Sequence, residues 1–154
     1  MKSIRLFSTG VLLLSMTGCN LKPSVVTDIV SDNVANAVAQ YSLQVELIEK
    51  SGHFMNPRTL DKNGKTVYVS YGDWTSGFFP GSMWYLYNLT GDKKWEELGV
   101  KYTEALDSVQ YITSNHDVGF MAGCSFLNAM RQANKDYTSV VLQTARSLST
   151  RFRP

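Results

Sequence analysis

Apolar residues recur at Val26, Val30, Val34, Val38, Tyr41, Val45 and Ile48. Steps of three and four residues put all of them on one face of an α-helix of about six turns. A helix that long with one apolar face is stable only when other elements cover that face. Gly52 is a natural stop for it. The stretch from Ser51 to Asp73 changes character: Asn63-Gly64 is a turn signal and Thr66-Val67-Tyr68-Val69 is short and β-branched, which predicts a small hairpin or extended loop. A second helix is expected from about Phe79 to Leu89, with Pro80 in its first turn, where a missing N–H costs nothing. Thr90-Gly91-Asp92 is a tight connection, and Asp92 can cap a third helix that lines up Trp95, Leu98, Tyr102, Leu106 and Val109. Thr113-Ser114-Asn115 interrupts the pattern. A fourth helix is predicted from about Val118 to Ala133 and, after Asn134-Lys135-Asp136, a fifth with Tyr137, Val141, Ala145 and Leu148 on its face. The chain therefore reads as all-α, with about five helices. Short connections make neighbours antiparallel, which suits a bundle or a ring of helical hairpins equally well.

The first 18 of the 154 residues have the pattern of an export signal. Lys2 and Arg5 are followed by the apolar run Val11–Leu14, which is too short to span a bilayer, and then by Met16-Thr17-Gly18-Cys19. Small residues before a cysteine resemble a bacterial lipoprotein signal, with Cys19 as the lipidated first residue of the mature chain. Residues 19–24 then form a tether and 25–154 the folded part. Acyl chains would hold such a protein at a membrane without a spanning helix. No acidic run follows Cys19, which favours a periplasm-facing location in the cell envelope over surface display. With the leader removed, 13 Lys and Arg balance 13 Asp and Glu, so the basic balance of the whole chain belongs partly to the leader. Nothing points to nucleic acid, which needs a clustered basic surface. With Cys19 lipidated, Cys124 has no partner and reads as an inert thiol in an apolar helix.

Two segments carry potential chemistry. Eight of the 18 aromatic residues fall between Tyr68 and Tyr87. Flat rings there can stack on the C–H faces of a sugar, or they can simply fill a core. Trp84, Tyr85 and Tyr87 lie within a helix and suit packing. Trp74 precedes the bend Thr75-Ser76-Gly77-Phe78-Phe79-Pro80-Gly81, where loop residues are available for binding, and Phe78 follows it closely. Gly77 and Gly81 permit close backbone approach, but no lysine and hydroxyl residue follow as in a phosphate-binding loop. The second segment is His116-Asp117-Val118-Gly119-Phe120. A carboxyl group beside Val118 and Phe120 would be partly desolvated and suited to proton transfer, and His116 could hydrogen-bond a substrate. Asp117 could equally serve as the cap of the helix that begins at Val118. His53 and His116 are far apart, and no cluster has the ligand spacing of a metal site.

Taken in order, Pro57-Arg58-Thr59-Leu60, Asp73-Trp74-Thr75-Ser76-Gly77-Phe78-Phe79-Pro80-Gly81, Trp84-Tyr85-Leu86-Tyr87, Thr90-Gly91-Asp92 and His116-Asp117-Val118-Gly119-Phe120 resemble the unsaturated glucuronyl hydrolases of glycoside hydrolase family 88. The resemblance runs from about Val34 to the C-terminus. It implies an α/α toroid, a barrel of six helical hairpins, of which about five helices of an incomplete ring are present here. It also implies a cofactor-free reaction on the 4,5-unsaturated uronic acid that polysaccharide lyases leave at a non-reducing end. The vinyl ether is protonated at C4, water adds at C5, and the hemiketal opens and releases the next sugar. That route differs from the paired-carboxylate displacement at the anomeric carbon used by most glycosidases. By the resemblance, Asp117 is the first of two active-site aspartates, His116 a neighbour that contacts substrate, and Trp74 the aromatic lining the sugar pocket; Phe78, close to Trp74 in sequence, is a further substrate-binding candidate. The family's second aspartate, the usual proton donor, has no match in this sequence.

Twelve helices with short connections need on the order of 300 residues, whereas 136 follow position 18. The chain is therefore expected to be the front part of such an enzyme, inactive in isolation, and inclined to self-associate through an uncovered apolar edge. The partners expected are an unsaturated uronic-acid oligosaccharide and, through Cys19, a membrane. Two other readings remain at this point: a lipid-anchored carbohydrate-binding protein without catalysis, and an unsaturated galacturonyl hydrolase on the same toroid.

Overall fold

The computed structural model describes residues 23–153, with side chains from residue 28 onward. The leader at 1–18 and the lipidation candidate Cys19 lie outside the described residues. Helix α1 spans Pro23–Ser51, so the last two positions of the expected tether are helical. It ends at Gly52, whose φ of +69° only glycine adopts without strain. The Ser51 hydroxyl closes that end by donating to Ile48 O (2.7 Å) and accepting from His53 N (3.2 Å). Among the described residues Val45 and Ile48 are buried, Val34, Val38 and Tyr41 are partly covered and Val30 is half exposed, so cover increases toward the C-terminal end of the predicted stripe.

The predicted hairpin is present as strands β1 (Asn56–Leu60) and β2 (Thr66–Val69), paired antiparallel. Asp61 Oδ1 accepts from Asn63 N (2.8 Å) and Lys65 N (2.9 Å), and Gly64 supplies the positive φ that the turn requires. The register shifts between Pro57 and Thr59, so Arg58 is the extra residue of a bulge.

Helix α2 spans Phe78–Thr90 and ends at Gly91, whose N–H returns to Tyr87 O. Asp92 then caps α3 (Lys93–Glu104) by accepting from Lys94 N. The two helices are antiparallel and close: the Trp84 indole N–H donates to Thr103 Oγ1 (2.9 Å), and a methyl group on Gly99 would lie 2.9 Å from the same indole ring. The third helix does not continue to Val109. It gives way to a 3₁₀ turn at Asp107–Tyr111, where Leu106 N bonds Thr103 O and Val109 N bonds Leu106 O. The tighter winding still buries Leu106 and Val109.

The predicted fourth helix is two helices, α4 (Val118–Cys124) and α5 (Phe126–Ala133). The break is at buried Ser125, which has ψ −80° and whose hydroxyl takes Met121 O at 2.5 Å. The Asn128 side chain then bonds Cys124 O in place of a backbone donor. Asn134, with φ +52°, ends α5, and α6 follows at Thr138–Ser149. Its inward stripe is Tyr137, Val140, Val141, Thr144, Ser147 and Leu148; Ala145, expected on that face, is exposed. Ser147 Oγ donates to Gln110 O (2.6 Å) and fixes α6 on the 3₁₀ turn. On the outside, Lys93 and Lys135 both pair with Glu96, whose carboxyl their hydrogen bonds pull down to about 2.

Two apolar clusters result. Val45, Ile48, Phe79, Met83, Leu86, Trp95 and Tyr102 join α1, α2 and α3. Leu106, Val109, Val118, Met121, Ala122 and Phe126 lie under α6. The two regions meet where α2 crosses α4. A Cβ on Gly77 would be 2.4 Å from Met121 O, and one on Gly81 would be 2.5 Å from Cys124 O. Residue 77 faces 121 and residue 81 faces 124, so α2 and α4 run in the same sense. No helix among the described residues is long and apolar enough to cross a membrane.

Gly77→Ala should destabilise the chain by about 1–3 kcal/mol or more, because the clash is with backbone and not with a movable side chain. Gly72→Ala, with nothing within 4 Å of the added methyl, should change stability by less than about 0.5 kcal/mol. Urea midpoints of the two variants check this; equal midpoints would contradict it.

Candidate active site

Because α2 and α4 point the same way, the segments leading into them share one end of the molecule. The segment into α2 carries Trp74. It is held by Asp73, whose Oδ1 accepts from Thr75 N (2.9 Å) and Thr75 Oγ1 (2.6 Å), and by buried Ser76, which donates to Tyr71 O (2.9 Å). Arg58 Nη1 lies 3.4 Å from Asp73 Oδ2 and ties this bend to the hairpin. Burial alone would raise the Asp73 carboxyl, but the two Thr75 hydrogen bonds and the Arg58 charge outweigh it and hold the group below the ordinary aspartate value.

Trp74 and Phe78, each 42% exposed, meet edge to face with centroids 5.8 Å apart. Phe120, 54% exposed, also approaches the indole, with centroids 6.4 Å apart. The three rings form an aromatic surface open to solvent, drawn from both helix starts. Apolar ring faces of this kind suit a planar or puckered ligand that presents C–H groups. Phe79, by contrast, is buried in the core, stacked on Tyr41 at 5.5 Å. Trp84 packs as expected. Tyr85, also expected to pack, is half exposed, on a shallow hollow that it shares with Gly81, Cys124 and Asn128.

Asp117 stands one turn before Met121, at the start of α4. It occupies the cap position but makes no capping hydrogen bond, since its own backbone (φ −72°, ψ −1°) is already nearly helical and does not turn the carboxylate back onto the amides. Asn115 Oδ1 accepts from Asp117 N at 2.9 Å, and the Gly119 amide goes to the His116 carbonyl at 3.4 Å. The Asp117 side chain is 23% exposed, with His116 Nε2 3.3 Å from its Oδ1 and the His116 ring largely in solvent. Phe120 N donates to Asp117 O (2.8 Å), so the ring against Trp74 and the carboxylate of Asp117 belong to the same helical turn. The arrangement offers an acceptor oxygen and a neighbouring imidazole beside a stacking surface. Of the sequence candidates, Trp74 and Phe78 are in direct contact, and Phe120 links them to the His116-Asp117 pair. Phe120 was legible only as a hydrophobic neighbour of Asp117; its place three residues further along a helix was the available signal. Cys124 is partly buried, and burial raises its thiol, consistent with an inert role.

No family model matches the chain. Relatives do. Over 150 residues, 92% of the chain, it is 30% identical to an unsaturated glucuronyl hydrolase of Formosa agariphila. The chain is related to the unsaturated glucuronyl hydrolases. A second such hydrolase, from a Bacillus species, is 34% identical over 73 residues, 45% of the chain. A crystal structure described as an unsaturated glucuronyl hydrolase specific for heparin superposes with a TM-score of 0.70 at 35% identity, over 81% of the chain. The helices described above are thus part of the toroidal fold that the motifs imply. The chain spans 38% of the length of the Formosa hydrolase, 19% of the Bacillus one and 33% of the solved structure.

Among the three tryptophans, Trp84 and Trp95 are buried, so acrylamide quenching reports on Trp74. Asp73→Asn should increase quenching at neutral pH. In the native chain the folded Asp73 pKa is depressed, so its hold on the bend is present above the ordinary value of 3.8 and is lost as pH falls below it. Quenching should therefore rise only below that value; a rise near neutrality would contradict the assignment.

Proposed function

We propose that this chain forms one side of the sugar pocket of an unsaturated glucuronyl hydrolase, and that Asp117 acts on the 4,5-unsaturated uronic acid. The observation that supports this best is the uncommitted carboxylate at 117, which stands at a helix start without capping it. Trp74, Phe78 and Phe120 stack against the sugar ring. His116 hydrogen-bonds the substrate, and the Asp117 carboxylate takes part in moving protons as C4 is protonated and water adds at C5. The hemiketal so formed opens, and the neighbouring sugar departs with its own proton restored. No cofactor enters this scheme. The proton donor at C4 would be a second carboxyl group that this sequence does not match, so the isolated chain is expected to bind an unsaturated disaccharide and leave its ultraviolet absorbance intact. Binding without turnover is also the non-catalytic reading, which the open aromatic surface favours; an active complete form separates the two.

That form can be made by placing residues 25–154 in register into the Formosa hydrolase. The chimera should consume the double-bond absorbance of an unsaturated disaccharide, and Asp117→Asn should slow it on the order of 100-fold or more with an unchanged fold. Unaltered turnover would remove Asp117 from the mechanism.

We also propose that Cys19 is lipidated and holds the protein at the periplasmic side of a membrane, and that the chain alone associates through its uncovered apolar residues. The leader pattern supports the first, and the exposure of Val30, Leu43, Leu47 and Leu89 supports the second. Cys19→Ser should move the protein from the membrane to the soluble fraction, where sedimentation should show species heavier than a monomer. Unchanged partition, or a monomer at all concentrations, would contradict the respective claim.

A further inference from the structure

A hollow of about 290 Å³ lies beside the aromatic surface. Gln40 and Gln44 of α1, Arg58, Thr59 and Leu60 of β1, and Phe78 of α2 line it. Phe78 is common to both: one side of the ring meets Trp74, and it also borders this hollow. The hollow therefore adjoins the aromatic surface across the Phe78 ring. The hollow is large enough for one further pyranose ring, and its floor is the Tyr41–Phe79 stack.

Its single cation is Arg58. This is the bulged residue of β1, opposed by no partner across the ladder, and such bulges re-aim a side chain out of the regular alternation. The guanidinium is 42% exposed, and its contact to Asp73 is 3.4 Å, longer than the 2.7–2.9 Å of a tight charge-assisted bond. A guanidinium has five N–H donors in a planar fork, so this one contact leaves others directed elsewhere. Gln40 is exposed on α1 at the rim, while Gln44 is partly occupied, accepting from Tyr68 Oη (3.2 Å).

We propose that this hollow is a subsite for the sugar next to the unsaturated residue, and that Arg58 selects an oxyanion, sulfate or carboxylate, carried by that sugar. The proposal rests on the sugar-pocket reading above and adds a specificity residue to it. Gln40 supplies a rim hydrogen bond to the same group.

Binding to the full chain is measured with four probes: the methyl glycoside of the 4,5-unsaturated uronic acid, and unsaturated disaccharides whose second sugar is neutral, sulfated or carboxylated. The anionic disaccharides should bind more tightly than the neutral one by on the order of tenfold, the worth of one charge-assisted hydrogen bond. The larger gain identifies sulfate or carboxylate as the preferred group. Arg58→Gln should abolish the gain while weakening the methyl glycoside far less. Because Arg58→Gln also frees Asp73, Gln40→Glu gives a second test: its added charge should weaken only the anionic disaccharides and leave Trp74 quenching unchanged. Equal binding of all three disaccharides, or an Arg58→Gln loss as large for the methyl glycoside, would overturn the subsite. Failure of the methyl glycoside to bind, with an Arg58-dependent preference retained, would overturn the sugar-pocket reading and keep the anion site. No binding by any probe would overturn both.

Discussion

The contact that organises this molecule is made by two backbones without side chains between them. Gly77 and Gly81 let the start of α2 lie directly against the carbonyls of Met121 and Cys124. Any Cβ at either position would push the helices apart. Since the helices run in the same sense, this approach also brings the bend at 73–76 and the turn at 115–117 to one end. The Trp74–Phe120 ring contact exists only because that spacing is held.

The local chemistry of the two segments keeps polar groups where they are useful. Asp73 spends its carboxylate on Thr75 and Arg58 and so makes the Trp74 bend rigid. The Gly119 and Phe120 amides, which a cap at 117 would take, donate instead to the carbonyls of His116 and Asp117, and this leaves the Asp117 carboxylate free of them. A carboxylate that is partly buried, next to an imidazole and not consumed by its own helix is available to a ligand. The bulge at Arg58 follows the same logic, since a residue released from the ladder can turn toward a neighbouring hollow.

Much of this was legible in the sequence. Helical spacing marked α1, α2, the start of α3 and α6, and Asn63-Gly64 marked the hairpin, because each is a local preference with a repeating period. The aromatic bend and the His-Asp pair stood out by residue type and order. The breaks were not legible. Val118–Ala133 is periodic throughout, yet a buried Ser125 hydroxyl competing for a helix carbonyl divides it. The change to 3₁₀ winding after Glu104 likewise coincides with a tertiary contact, the Ser147 hydroxyl of α6 on Gln110 O. Phe120 and Arg58 were hidden for a related reason: their significance comes from a tertiary contact and a one-residue register shift, neither of which has a period.

The central claim is that the Trp74 bend and the Asp117 turn form one binding surface. Titration of the isotope-labelled chain with an unsaturated uronic-acid disaccharide, followed by amide and indole resonances, tests it most directly. The account predicts that the Trp74 indole N–H and the amides of residues 116–120 shift together, along one saturation curve. A shift at Trp74 that leaves residues 116–120 unmoved, or two curves with different midpoints, would contradict it.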